Sequence, residues 1–185
     1  MPRLFLVGYR ATGKTTVGRL VAEALDMKFV DADSYLEATT GRTVRDHFRD
    51  DGEAGFRDLE SATLDELATA EVWDDHVIST GGGVVVRPTN RVRLRRGFVT
   101  RLTASASTIH TRMTADAATS GWRPNLTPGG GLQEVEALLA AREPWYREVA
   151  DVTIDTEGRS PDAVADAIVT AYLARTVNPP RESVG

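Results

Sequence analysis

A stretch of nine residues near the amino terminus has the residue types and spacing to cradle phosphate groups. Residues 8–16 read GYRATGKTT and fit the P-loop pattern G-x-x-x-x-G-K-[ST]. Gly8 and Gly13 permit backbone amides to approach phosphate oxygens at a helix N-terminus. Lys14 would reach the β- and γ-phosphates, and the Thr15 hydroxyl would ligate Mg²⁺. The alternative is a glycine turn that only precedes an ordinary helix.

Two carboxylates follow the second predicted strand, residues 28–31. Asp31 and Asp33 lie at the end of this strand, where open α/β sheets bind ligands. In an extended chain both side chains point the same way, so both could face a phosphate-transfer site, holding hydrated Mg²⁺ and orienting an attacking hydroxyl. The alternative is that Asp33 or Ser34 only caps a helix that begins at Tyr35.

An arginine and a glutamate three residues apart share one face of a predicted helix. Glu60 could fix the guanidinium of Arg57 so that it binds a ligand carboxylate through two hydrogen bonds. A surface ion pair of a few tenths of a kcal/mol explains the spacing equally well.

Further on, residues 81–83 are three consecutive glycines after a predicted strand. Such a run favours a ligand packed against bare backbone over a plain turn.

The apolar periodicity lapses between Ala115 and Gly131. A segment of this length without regular structure is usually functional or disordered. We interpret it as a mobile lid, with Arg123 as a charge donor that closes over the phosphates. A flexible surface excursion is the alternative.

The elements that must position these residues alternate between strand and helix. Apolar runs predict five strands, at 4–7, 28–31, 76–79, 98–102 and 152–155. The alternation predicts an α/β fold with helices flanking a parallel sheet. We expect 84–86 to continue extended, Pro144 to interrupt or kink the helix that begins at Leu132, and Pro161 to open the last helix. The predicted helices are 16–25, 35–40, 44–49, a longer one around 56–67, 88–96, 105–113, 132–141 and one from 161 onward.

Composition limits the function classes. A chain of 185 residues suits one compact domain, which we place at 1–175 with a disordered tail at 176–185. The net charge of −5 argues against a broad nucleic-acid surface, and no apolar run approaches a membrane span. The chain has no cysteine, which excludes disulfides and thiolate sites, and we expect a cytoplasmic monomer.

Taken in order, the motifs closely resemble those of shikimate kinase over about residues 4–175. The resemblance implies a five-stranded parallel sheet wrapped by helices, as in nucleoside monophosphate kinases. It also implies that ATP phosphorylates the 3-hydroxyl of shikimate, with Mg²⁺, in the biosynthesis of chorismate and the aromatic amino acids. The motifs that carry it are Gly8-x4-Gly13-Lys14-Thr15, Asp31-x-Asp33, Phe56-Arg57-x2-Glu60, Gly81-Gly82-Gly83, Arg123-Pro124 and Arg142-x-Pro144-x-Tyr146.

The resemblance implies roles on the nucleotide side. Lys14 holds the transferring phosphate, Thr15 binds Mg²⁺ directly, and Asp31 binds it through water. Arg123 is similar to the lid arginine of the family, Arg112 to the arginine that packs against adenine, and Arg159 to a second nucleotide-side arginine. The remaining P-loop residues expected at the nucleotide are Gly8, Arg10, Ala11, Thr12, Gly13 and Thr16.

On the acceptor side, the resemblance makes Asp33 the residue that binds the reacting diol and the candidate base. Arg57, supported by Glu60, and Arg142 grip the shikimate carboxylate, while the backbone of Gly81, Gly82 and Gly83 approaches the substrate. The catalytic set is therefore Asp33, Lys14 and Arg123. The chain departs from the family at Ala11, where glycine is frequent, and at Asn125, where leucine is usual.

Three alternatives use the same residues differently. Another P-loop kinase of small molecules, such as a gluconate kinase or a nucleoside monophosphate kinase, would share the phosphate site and differ at the acceptor. A non-catalytic nucleotide-binding module would lack a reacting residue, and none is missing here. A nucleic-acid-binding protein would need a more basic surface.

Overall fold

The computed structural model describes residues 2–115 and 131–177. These residues contain one sheet whose strands are all parallel and follow the order β2-β3-β1-β4-β5. The predicted α/β class, with a five-stranded parallel sheet, is confirmed. The strands are β1 (Leu4–Val7), β2 (Lys28–Asp31), β3 (His76–Ser79), β4 (Phe98–Thr103) and β5 (Val152–Asp155).

Helices follow the strands in the alternation that the sequence predicts. The last helix ends at Val177, and residues 178–185 of the predicted tail lie outside the described residues, so the division into domain and tail stays a prediction. The helices are α1 (Lys14–Ala24), α2 (Ala32–Thr40), α3 (Val44–Asp50), α4 (Gly52–Thr69), α5 (Pro88–Leu94), α6 (Ala106–Ala115), α7 (Gly131–Val149) and α8 (Pro161–Val177). Short 3₁₀ turns form at Glu71–Trp73 and Val84–Val86.

The core has two layers, one on each face of the sheet. Leu4 and Leu6 of β1 pack with the buried residues of α1 and α8, whereas Phe5 and Val7 pack with those of α4, α5 and α7. Successive side chains of a strand point to opposite faces, so an apolar run of four residues is buried completely. This burial fixes the carboxyl end of β1, from which the P-loop departs.

Side-chain caps set the starts of two helices. The Thr43 hydroxyl accepts a hydrogen bond from the Asp46 amide and the Asp46 carboxylate accepts one from the Thr43 amide, which makes a capping box for α3. The Ser160 hydroxyl accepts from the Ala163 amide at the start of α8. In the described parts of the chain, none of the helices combines the length and apolarity needed to cross a membrane.

Two local predictions are wrong. Residues 84–86 form a 3₁₀ turn instead of an extended segment, because the amides of Val84 and Val86 bond to the carbonyls of Gly81 and Gly83. Helix α7 continues through Pro144, so the predicted interruption is wrong, whereas the predicted alternative of a kink stays a prediction. The ring removes one backbone donor, but buried side chains on both sides of it, including Val135 and Tyr146, anchor the helix to the protein interior.

Candidate active site

The P-loop begins where β1 ends and closes at the first turn of α1, at the carboxyl edge of the central strand. Gly8 has φ 143° and Gly13 has φ 94°, a region that favours glycine. A Cβ at Gly8 would also overlap the carbonyl oxygen of Leu102. Conformation and space therefore both require the first glycine of the motif.

Ala11 occupies the left-handed region with φ 60° although it has a side chain. This conformation costs about 1–2 kcal/mol for a residue other than glycine. The carbonyl of Ala11 accepts a hydrogen bond from Arg112 Nη1 at 3.4 Å. The side chain at this position is thus accommodated as local backbone strain, while Gly8 and Gly13 adopt the positive φ angles given above.

Lys14 and Thr12 lie inside the loop. The Lys14 ammonium donates to the carbonyls of Gly8 and Tyr9, each at 2.8 Å, and the residue is 8% exposed. The Thr12 hydroxyl donates to the Tyr9 carbonyl at 2.7 Å. These contacts hold the lysine head group within the P-loop, whereas Thr16 lies exposed in the first turn of α1.

The two predicted metal-binding residues are neighbours. The Thr15 hydroxyl donates to Asp31 Oδ2 at 3.0 Å. The other carboxylate oxygen of Asp31 accepts from the amides of Asp33 and Ser34, each at 3.2 Å, so Asp31 is the N-cap of α2. The oxygen donors and the small number of protein ligands suit Mg²⁺, which usually keeps several waters.

The sequence predicts two alternatives around Asp33, an extended chain and a helix capped by Asp33 or Ser34, and both are wrong. Helix α2 begins at Ala32, directly after β2, so Asp33 lies in the first helical turn and not in an extended chain. The cap is Asp31, and neither Asp33 nor Ser34 serves as one. The physical reason is that the Asp31 carboxylate satisfies two amides at the strand end and starts the helix at once.

Arg57 and Glu60 form a buried ion pair. Arg57 Nη1 lies 2.7 Å from Glu60 Oε2, and the two residues are 5% and 6% exposed. The Arg57 guanidinium also contacts Glu53 Oε1 at 3.2 Å. It rests against Gly83, where a Cβ would overlap its Nη1, Cζ and Nη2 atoms. The pair is therefore not on the surface, and the glycine leaves the space that the guanidinium fills.

Arg142 contacts Gly82, the glycine that precedes Gly83. Arg142 Nη1 donates to the carbonyl of Gly82 at 3.0 Å, and the residue is 6% exposed. A Cβ at Gly82 would lie 3.2 Å from the amide nitrogen of Arg10. The glycine loop, residues 81–83, thus touches both predicted substrate arginines and packs against the P-loop backbone.

Three predicted acceptor-site residues line one narrow cleft. Asp33, Glu60 and Gly81 all border it, although they come from α2, α4 and the loop after β3. The rest of the lining is largely apolar: Ala32, Leu36, Thr63, Leu64, Thr80 and Val84. Fold topology therefore brings the Asp33 and Glu60 carboxylates and the bare backbone of Gly81 together, while Arg57 and Arg142 do not line this cleft.

The nucleotide-side arginines differ in placement. Arg112 bridges the P-loop to the loop after β5, because it contacts the Ala11 carbonyl and also both oxygens of Thr156, at 3.1 and 3.2 Å. Arg159 is exposed and donates to the carbonyls of Asp155 and Ala163, within its own loop and helix. Arg123 lies outside the described residues, as does most of the predicted lid.

Several residues around the site escape prediction from the sequence. Glu134 of α7 is 3% exposed and lies 3.6 Å from Arg10 Nη2 in the P-loop. Arg101 of β4 pairs with Glu143 of α7 through both of its terminal nitrogens. Tyr146 donates its hydroxyl to the Gly82 carbonyl at 2.6 Å, and burial raises its pKa to about 12. Its place in the Arg142-x-Pro144-x-Tyr146 motif is the signal that could have pointed to it.

Comparison with known proteins agrees with this geometry. The family model described as shikimate kinase matches residues 10–173. The chain belongs to the shikimate kinase family. A shikimate kinase of Symbiobacterium thermophilum is 45% identical over 88% of this chain and 92% of its own length. A shikimate kinase of Rhodopirellula baltica is 37% identical over 91% of this chain and 89% of its own.

Solved structures place the fold in the same family. A shikimate kinase from Acinetobacter baumannii, in complex with shikimate, superposes with a TM-score of 0.87 at 36% identity and covers 96% of each chain. A gluconokinase from Sinorhizobium meliloti superposes with a TM-score of 0.57 at 16% identity, which is a likeness of fold alone. The shikimate kinase family uses ATP, and its α/β fold is the one seen here.

Proposed function

We propose that this chain catalyses transfer of the γ-phosphoryl group of ATP to the 3-hydroxyl of shikimate, giving shikimate 3-phosphate and ADP. The observation that carries the proposal is the glycine loop, which contacts Arg57 and Arg142 on one side of the site and the P-loop backbone on the other. Two guanidinium groups beside backbone that carries no side chain suit a compact hydroxy-carboxylate. The shikimate complex of the related Acinetobacter enzyme supports the same substrate.

The nucleotide phosphates would bind the loop amides at the N-terminus of α1. Lys14 holds the transferring phosphate when nucleotide is present, exchanging its contacts with the Gly8 and Tyr9 carbonyls for phosphate oxygens. Mg²⁺ would be held by Thr15 directly and by Asp31 through water, and when bound it would neutralise charge on the phosphates. Arg112, Arg123 and Arg159 complete the proposed nucleotide side.

Asp33 acts on the acceptor. Its carboxylate borders the same cleft as Glu60 and Gly81, where it binds the reacting diol and orients the 3-hydroxyl. The bond between this oxygen and the γ-phosphorus forms as the bond from the γ-phosphorus to the β,γ-bridging oxygen breaks, and ADP leaves. The hydroxyl proton passes to the Asp33 carboxylate. Because the transition state is loose, orientation matters more than early proton removal.

The acceptor site depends on a hydrogen-bonded arrangement of arginines. Glu60 fixes the Arg57 guanidinium, and the Gly82 carbonyl fixes that of Arg142. Each arginine keeps further N–H donors for the shikimate carboxylate. A nucleobase offers no carboxylate to two such buried guanidinium groups beside a glycine loop, whereas gluconate does, so gluconate is tested in parallel.

One coupled assay tests the proposal. ADP release is measured with ATP and Mg²⁺ against shikimate, quinate and gluconate in parallel, and we expect release with shikimate. Release with gluconate alone, or with none of the three, would refute the proposed acceptor. The same assay with Mg²⁺ removed by a chelator should lose turnover, and addition of Mg²⁺ should restore it. The monomeric state, the cytoplasmic location and the lack of nucleic-acid or membrane partners stay predictions.

A further inference from the structure

The Gly82 carbonyl accepts two hydrogen bonds from α7, and only one of the donors has a role in the proposed mechanism. Arg142 Nη1 donates at 3.0 Å and the Tyr146 hydroxyl donates at 2.6 Å. Both residues are buried, at 6% and 1% exposure. A carbonyl oxygen has two lone pairs, so the two donors satisfy it together.

The ring of Tyr146 packs in the core, and specific contacts add to this packing. One side of the residue borders a cavity of about 200 Å³ between the P-loop, the end of β4 and helices α6 and α7. The Arg101 guanidinium lies 5.4 Å from the ring centre and pairs with Glu143. The hydroxyl bond is therefore a specific contact that helps to fix the ring beside this cavity.

We propose that Tyr146 is a positioning residue for the acceptor substrate, because its hydroxyl fixes the Gly82 carbonyl and thereby the Arg142 guanidinium and the glycine loop. The inference rests on the proposed function, in which Arg142 binds the shikimate carboxylate. Without the hydroxyl, the carbonyl is held by Arg142 alone, and the cavity gives the ring room to move. The geometry of the carboxylate site then loosens while the P-loop contacts of Lys14 and Thr15 remain.

The test compares Tyr146→Phe with a matched control, Tyr172→Phe. Tyr172 is also fully buried and also donates its hydroxyl to a backbone carbonyl, that of Pro2, which precedes β1 at the opposite edge of the sheet. We expect Tyr146→Phe to raise KM for shikimate about tenfold, the loss commonly seen when a buried hydrogen bond to a binding site is removed. The kcat and KM for ATP should stay within about twofold. Tyr172→Phe should leave all three constants unchanged.

Hydrogen exchange gives a second readout that needs no turnover. The amides of Val84 and Val86 bond to the carbonyls of Gly81 and Gly83 and so report on the glycine loop. They should exchange faster in Tyr146→Phe than in the wild type or in Tyr172→Phe. The exchange measurement separates the two proposals. A wild type that does not phosphorylate shikimate refutes the proposed function, whereas exchange at these two amides still tests the positioning role of Tyr146.

Two results would overturn the positioning role. One is an unchanged KM for shikimate together with unchanged exchange at Val84 and Val86. The other is a parallel loss in which both KM values rise and kcat falls, since a general structural defect produces that pattern. A selective rise in KM for shikimate, absent from Tyr172→Phe, supports the proposal.

Discussion

Replacing Gly83 by alanine should disable the acceptor site through one displaced guanidinium. Gly83 has φ −101° and ψ −1°, a negative-φ conformation that is allowed for alanine, so the backbone itself tolerates the change. The new Cβ would overlap the Arg57 guanidinium, which must withdraw by about 1 Å to restore ordinary contact at 3.4 Å. The clash therefore falls on a side chain that Glu60 holds in place.

A displacement of about 1 Å at a substrate-positioning group can lower the rate about 100-fold. We expect kcat/KM for shikimate to fall by this factor, which is about 2.7 kcal/mol of transition-state stabilisation at 25 °C. If the bond from Arg57 to Glu60 also breaks, the protein loses roughly 1–3 kcal/mol of stability, because a buried carboxylate is left without its partner. KM for ATP should change little, since the P-loop is not displaced.

A double-mutant cycle isolates the cause. Steady-state kinetics of Gly83→Ala, Arg57→Ala and the double variant give the coupling between the two positions. In the Arg57→Ala background, Gly83→Ala should add no further loss of kcat/KM, because the displaced atoms are gone. An unchanged kcat/KM in the single Gly83→Ala variant would refute the reasoning. So would a further 100-fold loss in the double variant.

Three other predictions follow from single contacts. Asp33→Asn should abolish turnover in the coupled assay while ATP binding in a titration stays nearly intact, and near-normal turnover would remove Asp33 from the mechanism. Thr43→Ala should lower the stability measured by denaturant unfolding by about 1 kcal/mol, because α3 loses its cap; an unchanged midpoint would contradict this. The hydrogen bonds from Arg101 lower the pKa of Glu143 below its ordinary value of 4.5. The pair therefore stabilises the fold above pH 4.5, and this stabilisation is lost as pH falls through the pKa of Glu143 in the folded protein. As pH falls below 4.5, the unfolding free energy should therefore decrease more steeply for the wild type than for Glu143→Gln, and equal slopes would contradict the assignment.

The predicted strands and most helix starts agree with the structure because their signals are local. Four apolar residues before the P-loop predict a buried strand, and Thr43 and Ser160 cap helices through side chains a few residues away. Where local signals conflict, the prediction is wrong. Pro144 argued for a break in α7, but the burial of residues on both sides of it overrides the loss of one hydrogen bond.

The sequence by itself determined the phosphate-binding loop, the alternation of strands and helices, and the order of motifs that places the chain in its family. Each is written in residue types at short spacing, so no knowledge of the sheet order is needed. The start of α2 at Ala32 needed the structure, because only the hydrogen-bond partners of Asp31 show that this last residue of β2 is also the cap of α2.

Only the tertiary structure decided how the acceptor site is held together. The Gly82 carbonyl meets donors at positions 142 and 146, sixty or more residues away, because β3 and α7 pack on the same side of the fold. The burial of Arg57 against Gly83 likewise follows from α4 packing over the sheet. Such contacts depend on strand order and layer packing, which bring distant residues together by burying apolar surface, and no local spacing along the chain encodes them.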